Sequence, residues 1–311
     1  MPDRAVLGRR VLLASLPGVL AMPALAQAAM PVVASFSILA DITRAVGGGR
    51  IAVTSLAPIG IDLHHFQPRP SEAQGVSTAR VFVINGLGLE GWAERLAGAG
   101  GFKGTGVVAS KGVKVLSAGH GHGHHGHGHG HSHGKAEADP HCWQDVANVR
   151  VYVANIRDGL TLADPGGKAV YAEQADAYLR RLTALDAEIK GMIAPIPRDR
   201  RRIVTSHDAF RYYADAYEVD FLAPMGMSAE AEPSARAFAA LIAQIKKEHI
   251  RALFLERGMS PRLMEQLVRE TGVKIGGTLY ADTLSGPNEA AGTYIEMMRA
   301  NTKAIVAALS A

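Results

Sequence analysis

The fold is decided in residues 32–56, which read VVASFSILADITRAVGGGRIAVTSL. A short apolar run at 32–36 predicts a buried strand, the helical spacing of apolar side chains over 38–46 predicts a helix, and 52–56 predicts a second strand. Three glycines at 47–49 are typical of the end of a helix. A strand, a helix and a strand in this order indicate a parallel sheet covered by helices, so this stretch predicts an α/β fold.

The same alternation continues on both sides of one long helical stretch. Strands are predicted at 81–84 and 106–109, and a helix at 71–79 lies between the second and third strands. From 146 onwards the spacing becomes helical, and 168–194 predicts one helix of about 40 Å, at about 1.5 Å per residue. A second alternating set follows, with strands at 203–205, 220–222, 252–255 and 273–276 and helices that begin at 209, 234, 261 and 288.

Domain organisation follows from this order. A chain of 311 residues exceeds what one hydrophobic core usually spans. We predict two Rossmann-like α/β lobes with parallel sheets, at 30–165 and 197–311, joined by one long helix at 166–196. The first lobe includes a histidine-rich loop at 115–138, and residues 1–26 precede both lobes as a signal peptide.

Composition excludes several classes of protein. With 48% hydrophobic and 20% charged residues, the chain is neither disordered nor a small disulfide scaffold. The net charge of +4 falls to +2 once the first 26 residues, with three arginines and one aspartate, are set aside. Aromatic residues make up 6% and form no stripe with basic residues, so we expect no nucleic-acid partner. Cys142 is the single cysteine, which excludes an internal disulfide and a cysteine-rich zinc module.

The first 26 residues have the pattern of a cleaved secretory signal peptide. Arg9 and Arg10 precede an apolar run at 11–25, and Ala24-Leu25-Ala26 forms a small-x-small cleavage pattern. The run of about 15 residues is shorter than the ~20 that cross a bilayer, although a retained anchor is the alternative. The arginine pair leaves the Sec and twin-arginine routes both open, and no cysteine near the cleavage site can carry a lipid. We expect the mature protein in the periplasm.

Histidine is concentrated in one low-complexity segment. Most of the 13 histidines lie between 120 and 133, spaced by glycine, in a stretch without an apolar residue. Such a flexible loop can bind divalent cations weakly, because ordering it costs entropy; the alternative is a solvated spacer with no role. His249, at the end of an amphipathic helix, is expected to be solvated or to cap that helix. The loop histidines are His120, His122, His124, His125, His127, His129, His131 and His133.

Four further histidines stand at or soon after predicted strand ends, or in loops rich in proline and acid. They are His64, His65, His141 and His207. Ligands of open α/β sheets bind outside the carboxyl ends of the strands. His207 fits this position most clearly, because it follows the strand at 203–205 and precedes a helix.

Carboxylates occupy similar positions. Asp282 follows the last predicted strand by a few residues, and Glu256 directly follows another strand. An imidazole nitrogen suits borderline metals such as zinc, and a carboxylate adds one negative charge. The neighbouring acids Asp62, Asp139 and Asp208 are candidates to hold the second imidazole nitrogen of each histidine. From spacing alone, a metal site of scattered ligands and a set of ordinary polar loop residues both remain open.

Six segments carry a resemblance to a known family. They are VASFSILAD at 33–41, GIDLHHFQP at 60–68, NGLGLEGW at 85–92, DPHCW at 139–143, SHDAF at 206–210 and LYADTLS at 279–285. With these segments, the chain resembles the zinc-type solute-binding proteins of metal ABC transporters, also called the zinc/manganese cluster A-I family. The resemblance runs through nearly all of the mature chain.

The resemblance implies a metal site in the cleft between the lobes. One ion would be held there by His64 and His141 of the first lobe and by His207 and Asp282 of the second. A histidine at position 207 is similar to the zinc members, since manganese members usually carry glutamate there, and nitrogen ligands suit zinc. The histidine-rich insertion also resembles zinc members.

The chain departs from the family pattern in one loop. Leu63 stands where the family usually has proline, and Gln67 stands where it usually has glutamate. His65, directly after the expected ligand of this loop, is either a competing ligand or only a neighbour. Cys142, beside His141, is either a soft fifth ligand or a core residue. We expect core packing, because neighbours on an extended segment point in opposite directions.

The resemblance implies transport rather than catalysis. We expect one tight Zn²⁺ site, further weak sites in the histidine-rich loop, and delivery of the ion to an inner-membrane ABC permease and its ATPase. A periplasmic zinc chaperone is a further partner that the family allows, and we expect a monomer. A manganese or iron importer component of the same fold is the alternative. A zinc hydrolase is a second alternative, against which stands the lack of a general base one turn from a ligand.

Overall fold

The computed structural model describes residues 28–117, 138–224 and 233–310. The predicted signal peptide and all eight histidines of the predicted histidine-rich loop lie outside these residues. The first lobe contains β1 (Met30–Ala34), α1 (Ser37–Gly47), β2 (Ile51–Ser55), α2 (Pro70–Thr78), β3 (Val81–Ile84), α3 (Ala93–Ala99), β4 (Thr105–Val108) and α4 (Val146–Ala163).

The strands of the first lobe form one parallel sheet in the order β2-β1-β3-β4. The central strand β1 pairs on both sides, with Val33 opposite Thr54 in β2 and opposite Phe82 in β3. Both β1 and β3 are nearly continuous apolar runs, which suits strands covered on both faces. Because all four strands run in one direction, their carboxyl ends meet at one edge of the sheet.

The second lobe repeats this topology. It contains β5 (Arg202–Val204), α6 (Arg211–Tyr217), β6 (Asp220–Leu222), α7 (Ala235–Lys247), β7 (Ala252–Glu256), α8 (Arg262–Thr271), β8 (Lys274–Leu279) and α9 (Tyr294–Ser310). Its parallel sheet has the order β6-β5-β7-β8, so each lobe places its second strand at one edge and its first strand beside it. The predicted α/β fold with two lobes and parallel sheets is confirmed.

The helix α5 (Lys168–Ile193) joins the lobes over 26 residues. It packs against α1 and α4 of the first lobe and against α9 of the second. Its buried residues recur every three or four positions, as expected for one apolar face of a helix. They are Tyr171, Ala175, Tyr178, Leu182, Leu185, Ile189 and Ile193.

Hydrogen bonds also cross directly between the lobes. The Asp41 carboxylate on α1 accepts a bond of 2.8 Å from the backbone N–H of Tyr294, the first residue of α9. The Tyr294 hydroxyl donates to the carbonyl oxygen of Trp143 at 2.8 Å, and the Trp143 indole N–H donates to the carbonyl oxygen of Ala281 at 2.8 Å. The side chains of Trp143 and Tyr294 are fully buried. The lobes are therefore joined by buried polar contacts as well as by α5.

Two helices begin later than predicted, and one helix was not predicted. The last helix begins at Tyr294 rather than at 288, because the Ser285 N–H donates to the carbonyl oxygen of Ala291 and holds this segment in a turn. The helix after β5 begins at Arg211 rather than at 209. The short helix α3 was not predicted, since glycine is frequent on both sides of it. No helix within the described ranges is both long enough and apolar enough to cross a membrane.

Candidate metal centre

Four side chains that are far apart in sequence come together, three of them from loops that follow strands. His64 lies in the loop after β2, and His207 and Asp282 each follow the end of a strand by three residues. His141 immediately precedes a short 3-10 turn that leads into α4. One ligand atom from each of these four residues lies within 4.8 Å of the ligand atoms of the other three. The four ligands that the family resemblance implies are thus neighbours in space.

Four of the distances between these atoms are short and nearly equal. Nε2 of His64 lies 3.4 Å from Nε2 of His141 and 3.4 Å from Oδ2 of Asp282. Nε2 of His207 lies 3.4 Å from Oδ2 of Asp282, and Nε2 of His141 lies 3.5 Å from Oδ1 of the same carboxylate. A tetrahedral zinc ion with ligands at about 2.0–2.1 Å separates its ligand atoms by about 3.3 Å. The arrangement has the size of a tetrahedral site.

The burial of the four residues, and the lack of a hydrogen bond at two of their described atoms, also fit a cation site. His141 and His207 are fully buried, and the side chains of His64 and Asp282 are 7% and 8% exposed. Within the described ranges, Nε2 of His207 and Oδ1 of Asp282 are buried atoms that make no hydrogen bond. Because buried polar atoms are nearly always satisfied, two such atoms facing one point indicate a place for an ion.

Two of the histidines are held from behind by carboxylates. Asp139 accepts the backbone N–H of His141 at 2.9 Å, and the same Oδ1 lies 2.9 Å from Nδ1 of that ring. Glu256 accepts the backbone N–H of His207 at 3.0 Å, and its Oε2 lies 2.6 Å from Nδ1 of His207. In both residues the carboxylate leaves Nε2 as the atom that faces the centre, an arrangement typical of metal-binding histidines.

Asp208 does not hold His207, which corrects one prediction. Its carboxylate lies 3.8 Å from the guanidinium of Arg211, one turn along the chain. Glu256 takes this place because β7 pairs with β5, so the last residue of β7 lies beside the loop that follows β5. Only sheet pairing brings the two together, since Glu256 and His207 are 49 residues apart in sequence.

Asp62 holds the ring of His65 rather than that of His64. Its Oδ1 accepts the backbone N–H of His64 at 2.9 Å, but its Oδ2 lies 2.7 Å from Nδ1 of His65. The His64 ring is therefore not held by Asp62. The His65 side chain is 57% exposed and lies outside the group of four.

Charge within the centre shifts two pKa values in opposite directions. Burial opposes protonation of His207, but the carboxylates of Glu256 and Asp282 outweigh it and raise the pKa of this imidazole well above its usual value. Burial likewise opposes ionisation of Asp282, but His207 and His141 outweigh it and hold the pKa of this carboxyl well below its usual value. A metal-free centre therefore keeps a carboxylate beside a cationic imidazole, and an incoming metal ion replaces that positive charge.

Cys142 is a core residue rather than part of the group. It is fully buried in the main hydrophobic cluster, and burial raises the pKa of its thiol to about 11. The reason differs from the predicted one, because Cys142 begins a 3-10 turn and does not lie on an extended segment. Its sulfur contacts the carbonyl oxygen of Asp139 at 3.9 Å.

Two side chains that hold the loops of the centre, Asn85 and Tyr212, were not predicted from the sequence. The Asn85 side chain donates to the carbonyl oxygen of Pro140 at 2.9 Å, directly before His141. The Tyr212 hydroxyl accepts the backbone N–H of Leu116 at 2.9 Å and donates to the carbonyl oxygen of Asp139 at 3.0 Å. Asn85 stands in one of the family segments, which is a signal that was available. Tyr212 lies on α6 without a distinguishing pattern around it.

The chain is similar to known proteins over most of its length. A sequence model of the family described as "Zinc-uptake complex component A periplasmic" matches residues 32–308. The manganese-binding lipoprotein MntA of Halalkalibacterium halodurans is 34% identical over 281 residues, which are 90% of this chain and 89% of the relative. The iron ABC transporter substrate-binding lipoprotein MtsA of Streptococcus pyogenes serotype M1 is 31% identical over 276 residues, or 88% and 86% of the two chains.

A solved structure shares the architecture. The periplasmic zinc-binding protein TroA from Treponema pallidum superimposes with a TM-score of 0.81 at 27% sequence identity, over 90% of this chain and 99% of that one. The names of these two relatives and of this solved structure all describe binding proteins. The chain therefore belongs to the zinc-uptake complex component A family, the metal-binding components of ABC transporters, and it is a binding protein rather than an enzyme.

Proposed function

We propose that this chain captures Zn²⁺ in the periplasm and delivers it to an inner-membrane ABC permease and its ATPase. The observation that carries the proposal is the set of three imidazole nitrogens and one carboxylate, whose ligand atoms all lie within 4.8 Å of one another, with the Asp282 carboxylate 3.4–3.5 Å from each nitrogen. His64, His141, His207 and Asp282 would hold the ion. The ion itself supplies no chemistry to a substrate, since it is the cargo.

The donor set supports zinc over manganese. Imidazole nitrogen suits borderline cations such as Zn²⁺, whereas Mn²⁺ favours sites rich in carboxylate and water oxygen with six ligands. Here three of four donor residues are histidines, and Asp282 is the single carboxylate in the group. A six-coordinate ion would require ligands in addition to these four residues.

A manganese or iron cargo is the second candidate. It is favoured by the printed names of two relatives, a manganese-binding lipoprotein and an iron transporter lipoprotein. Both Asp282 oxygens lie close to imidazole nitrogens, at 3.4 and 3.5 Å, so this carboxylate can offer one oxygen or two. A direct competition between the metals separates the two candidates.

Location and partners follow from the family and from the amino terminus. Membership in a family of ABC transporter components supports the permease and its ATPase as partners. The signal-peptide pattern before residue 27 supports export, and the family description names the periplasm. The predicted zinc chaperone and the predicted monomeric state stay predictions.

The test uses the mature chain and a variant without residues 120–133. Each protein is dialysed with equimolar Zn²⁺ and Mn²⁺, and bound metal is measured by mass spectrometry. We expect one tightly bound zinc in both proteins and little manganese. A preference for manganese would replace zinc by the second candidate, and a variant that binds no metal would show that the cleft is not the tight site.

A ligand substitution tests the centre itself. His207→Ala removes one of four ligands, so we expect zinc affinity to fall by more than about 100-fold, or about 3 kcal/mol of the ~10 kcal/mol typical of such sites. The matched control is His249→Asn, because His249 is exposed, lies outside the group and has a φ of 51°, which asparagine tolerates. Affinity is measured by competition with a chelator. Equal losses in the two variants would contradict the assignment of His207.

A further inference from the structure

We propose that His65, held by Asp62, is an exchange ligand that binds the Zn²⁺ ion transiently as it enters and leaves the centre. This inference rests on the proposed function. His65 is absent from the group of four, so it does not contribute to the final site. Its role is kinetic, and it provides a nitrogen during transfer only.

The first support is the way in which the His65 ring is held. Nδ1 of His65 lies 2.7 Å from Oδ2 of Asp62. Nδ1 of His141 lies 2.9 Å from Asp139, and Nδ1 of His207 lies 2.6 Å from Glu256. In all three a carboxylate lies against Nδ1 and leaves Nε2 as the available ligand atom, which orients the ring. His65 is thus prepared for a metal although it has no place in the centre.

The second support is the order of exposure. His141 and His207 have fully buried side chains, the His64 side chain is 7% exposed, and the His65 side chain is 57% exposed. Exposure thus increases from His141 and His207 through His64 to His65, and the last two are adjacent in sequence. Of these four imidazoles, His65 is the one most accessible to an ion that arrives from solvent.

The third support is the freedom of His64. Among the four histidines, only the His64 ring has no carboxylate at Nδ1 within the described residues, because Asp62 has its second oxygen on His65. His64 is therefore the ligand that can turn most easily. Its loop is tied to the second lobe through the Gly60 N–H, which donates to the Thr283 hydroxyl at 2.9 Å. The exchange requires only the His64 ring to turn, while this backbone contact is kept.

Zinc chemistry makes such a ligand useful. A four-coordinate Zn²⁺ ion can expand to five ligands, so a new nitrogen can bind before an old ligand leaves. On entry, a bond from Nε2 of His65 to zinc forms as a water molecule or a chelator donor leaves. His64 then replaces His65, and the other three ligands close around the ion. Exit follows the same steps in reverse.

This role differs from that of a positioning residue in what it does to the equilibrium. A ligand that is present only during transfer changes the association and dissociation rates by the same factor and leaves Kd unchanged. A residue that merely positions the His64 loop stabilises the bound state, so its loss raises Kd through faster dissociation. The ratio of the two rates separates the roles.

The experiment uses His65→Asn in the mature chain without residues 120–133. Asparagine can still donate to Asp62, but it lacks the imidazole nitrogen that would bind zinc. Association is followed by stopped flow with Zn²⁺ supplied as a weak chelate, and dissociation is followed with excess EDTA. We expect both rates to fall about tenfold, which corresponds to about 1.4 kcal/mol of barrier, with Kd unchanged.

Two outcomes would overturn the inference. Unchanged rates would show that the ion bypasses His65, and faster dissociation with a weaker Kd would show a positioning role. The control is His249→Asn, which should match the parent protein in both rates. The parent protein must bind one zinc tightly in the same assay, so failure of the proposed function is recognised separately.

Discussion

The carboxylate of Glu256, the last residue of β7, lies 2.6 Å from Nδ1 of His207, which follows the end of β5 by three residues. Its other oxygen accepts the backbone N–H of His207 at 3.0 Å, so one side chain holds both the ring and the main chain of this residue. Asp139 holds His141 in the same two ways. Each lobe therefore contributes one histidine whose ring and backbone N–H are both held by a single carboxylate side chain.

Neutralising Glu256 should weaken zinc binding without destroying the centre. In Glu256→Gln the side-chain oxygen can still accept the His207 backbone N–H, but the negative charge behind the imidazole is lost. Substitutions behind metal-binding histidines typically cost about 10–100-fold in affinity, and we expect a loss in this range. Competition with a chelator measures it. Asp208→Asn is the matched control, because Asp208 faces Arg211. A comparable loss in Asp208→Asn would contradict the assignment of Glu256.

The pH dependence of stability should reveal the raised pKa of Glu90, whose side chain is buried in the loop after β3. Burial raises the pKa of Glu90 above its ordinary value of 4.5, although the Ser35 hydroxyl and the N–H groups of Asn85 and Gly86 donate to it. The folded state then holds a proton that the unfolded state releases. Stability contributed by this group is therefore present below pH 4.5 and is lost as pH rises through the folded-state pKa.

The variant Glu90→Gln cannot titrate, so it should not lose this stability. We expect the difference in Tm between Glu90→Gln and the parent protein to shift in favour of the variant as pH rises from about 4 to 7. Thermal unfolding of metal-free protein in a series of buffers gives this difference. A difference that stays constant across the series would show that Glu90 has the same pKa in both states.

The hydrogen bond from the Tyr294 hydroxyl to the Trp143 carbonyl oxygen should stabilise the contact between the lobes. In Tyr294→Phe the carbonyl oxygen of Trp143 loses a donor in a fully buried position, which should cost about 1–2 kcal/mol of unfolding free energy. Urea unfolding of the metal-free protein measures the loss. Tyr213→Phe is the control, since the Tyr213 hydroxyl bonds Thr302 within the second lobe at 2.8 Å.

Hydrogen exchange distinguishes these two variants. Tyr294→Phe should increase exchange near Trp143 and at the start of α9, whereas Tyr213→Phe should affect the second lobe alone. If both variants change exchange in the second lobe only, the bond between Tyr294 and Trp143 does not join the lobes.

Metal loading should change the relation of the lobes only slightly. The helix α5 packs against both lobes, and the Asp41 carboxylate accepts the first N–H of α9 across the boundary. Wide closure would break these contacts, so we expect small tilting. Small-angle scattering of metal-free and zinc-loaded protein should give profiles that superimpose. A clear decrease in the radius of gyration on loading would contradict this prediction.

Strands and most helices could be predicted from the sequence because their signals are local. The apolar runs at 32–36 and 81–84 and the unbroken stretch at 168–194 lie close to the observed β1, β3 and α5. The start of α9 could not be predicted, since its first N–H is held by Asp41 from the other lobe. Local periodicity contains no information about that contact.

The two α/β lobes could be predicted from the sequence alone, and so, through the family segments, could the four candidate ligands His64, His141, His207 and Asp282. The pairing of each ring with its carboxylate, in contrast, depends on the folded chain. Glu256 rather than Asp208 reaches His207, and Asp62 turns to His65 rather than to the His64 ring. The physical reason is range: helices and strands follow from neighbours a few residues apart, whereas a ring and its carboxylate meet through strand pairing and loop geometry, which only the folded chain defines.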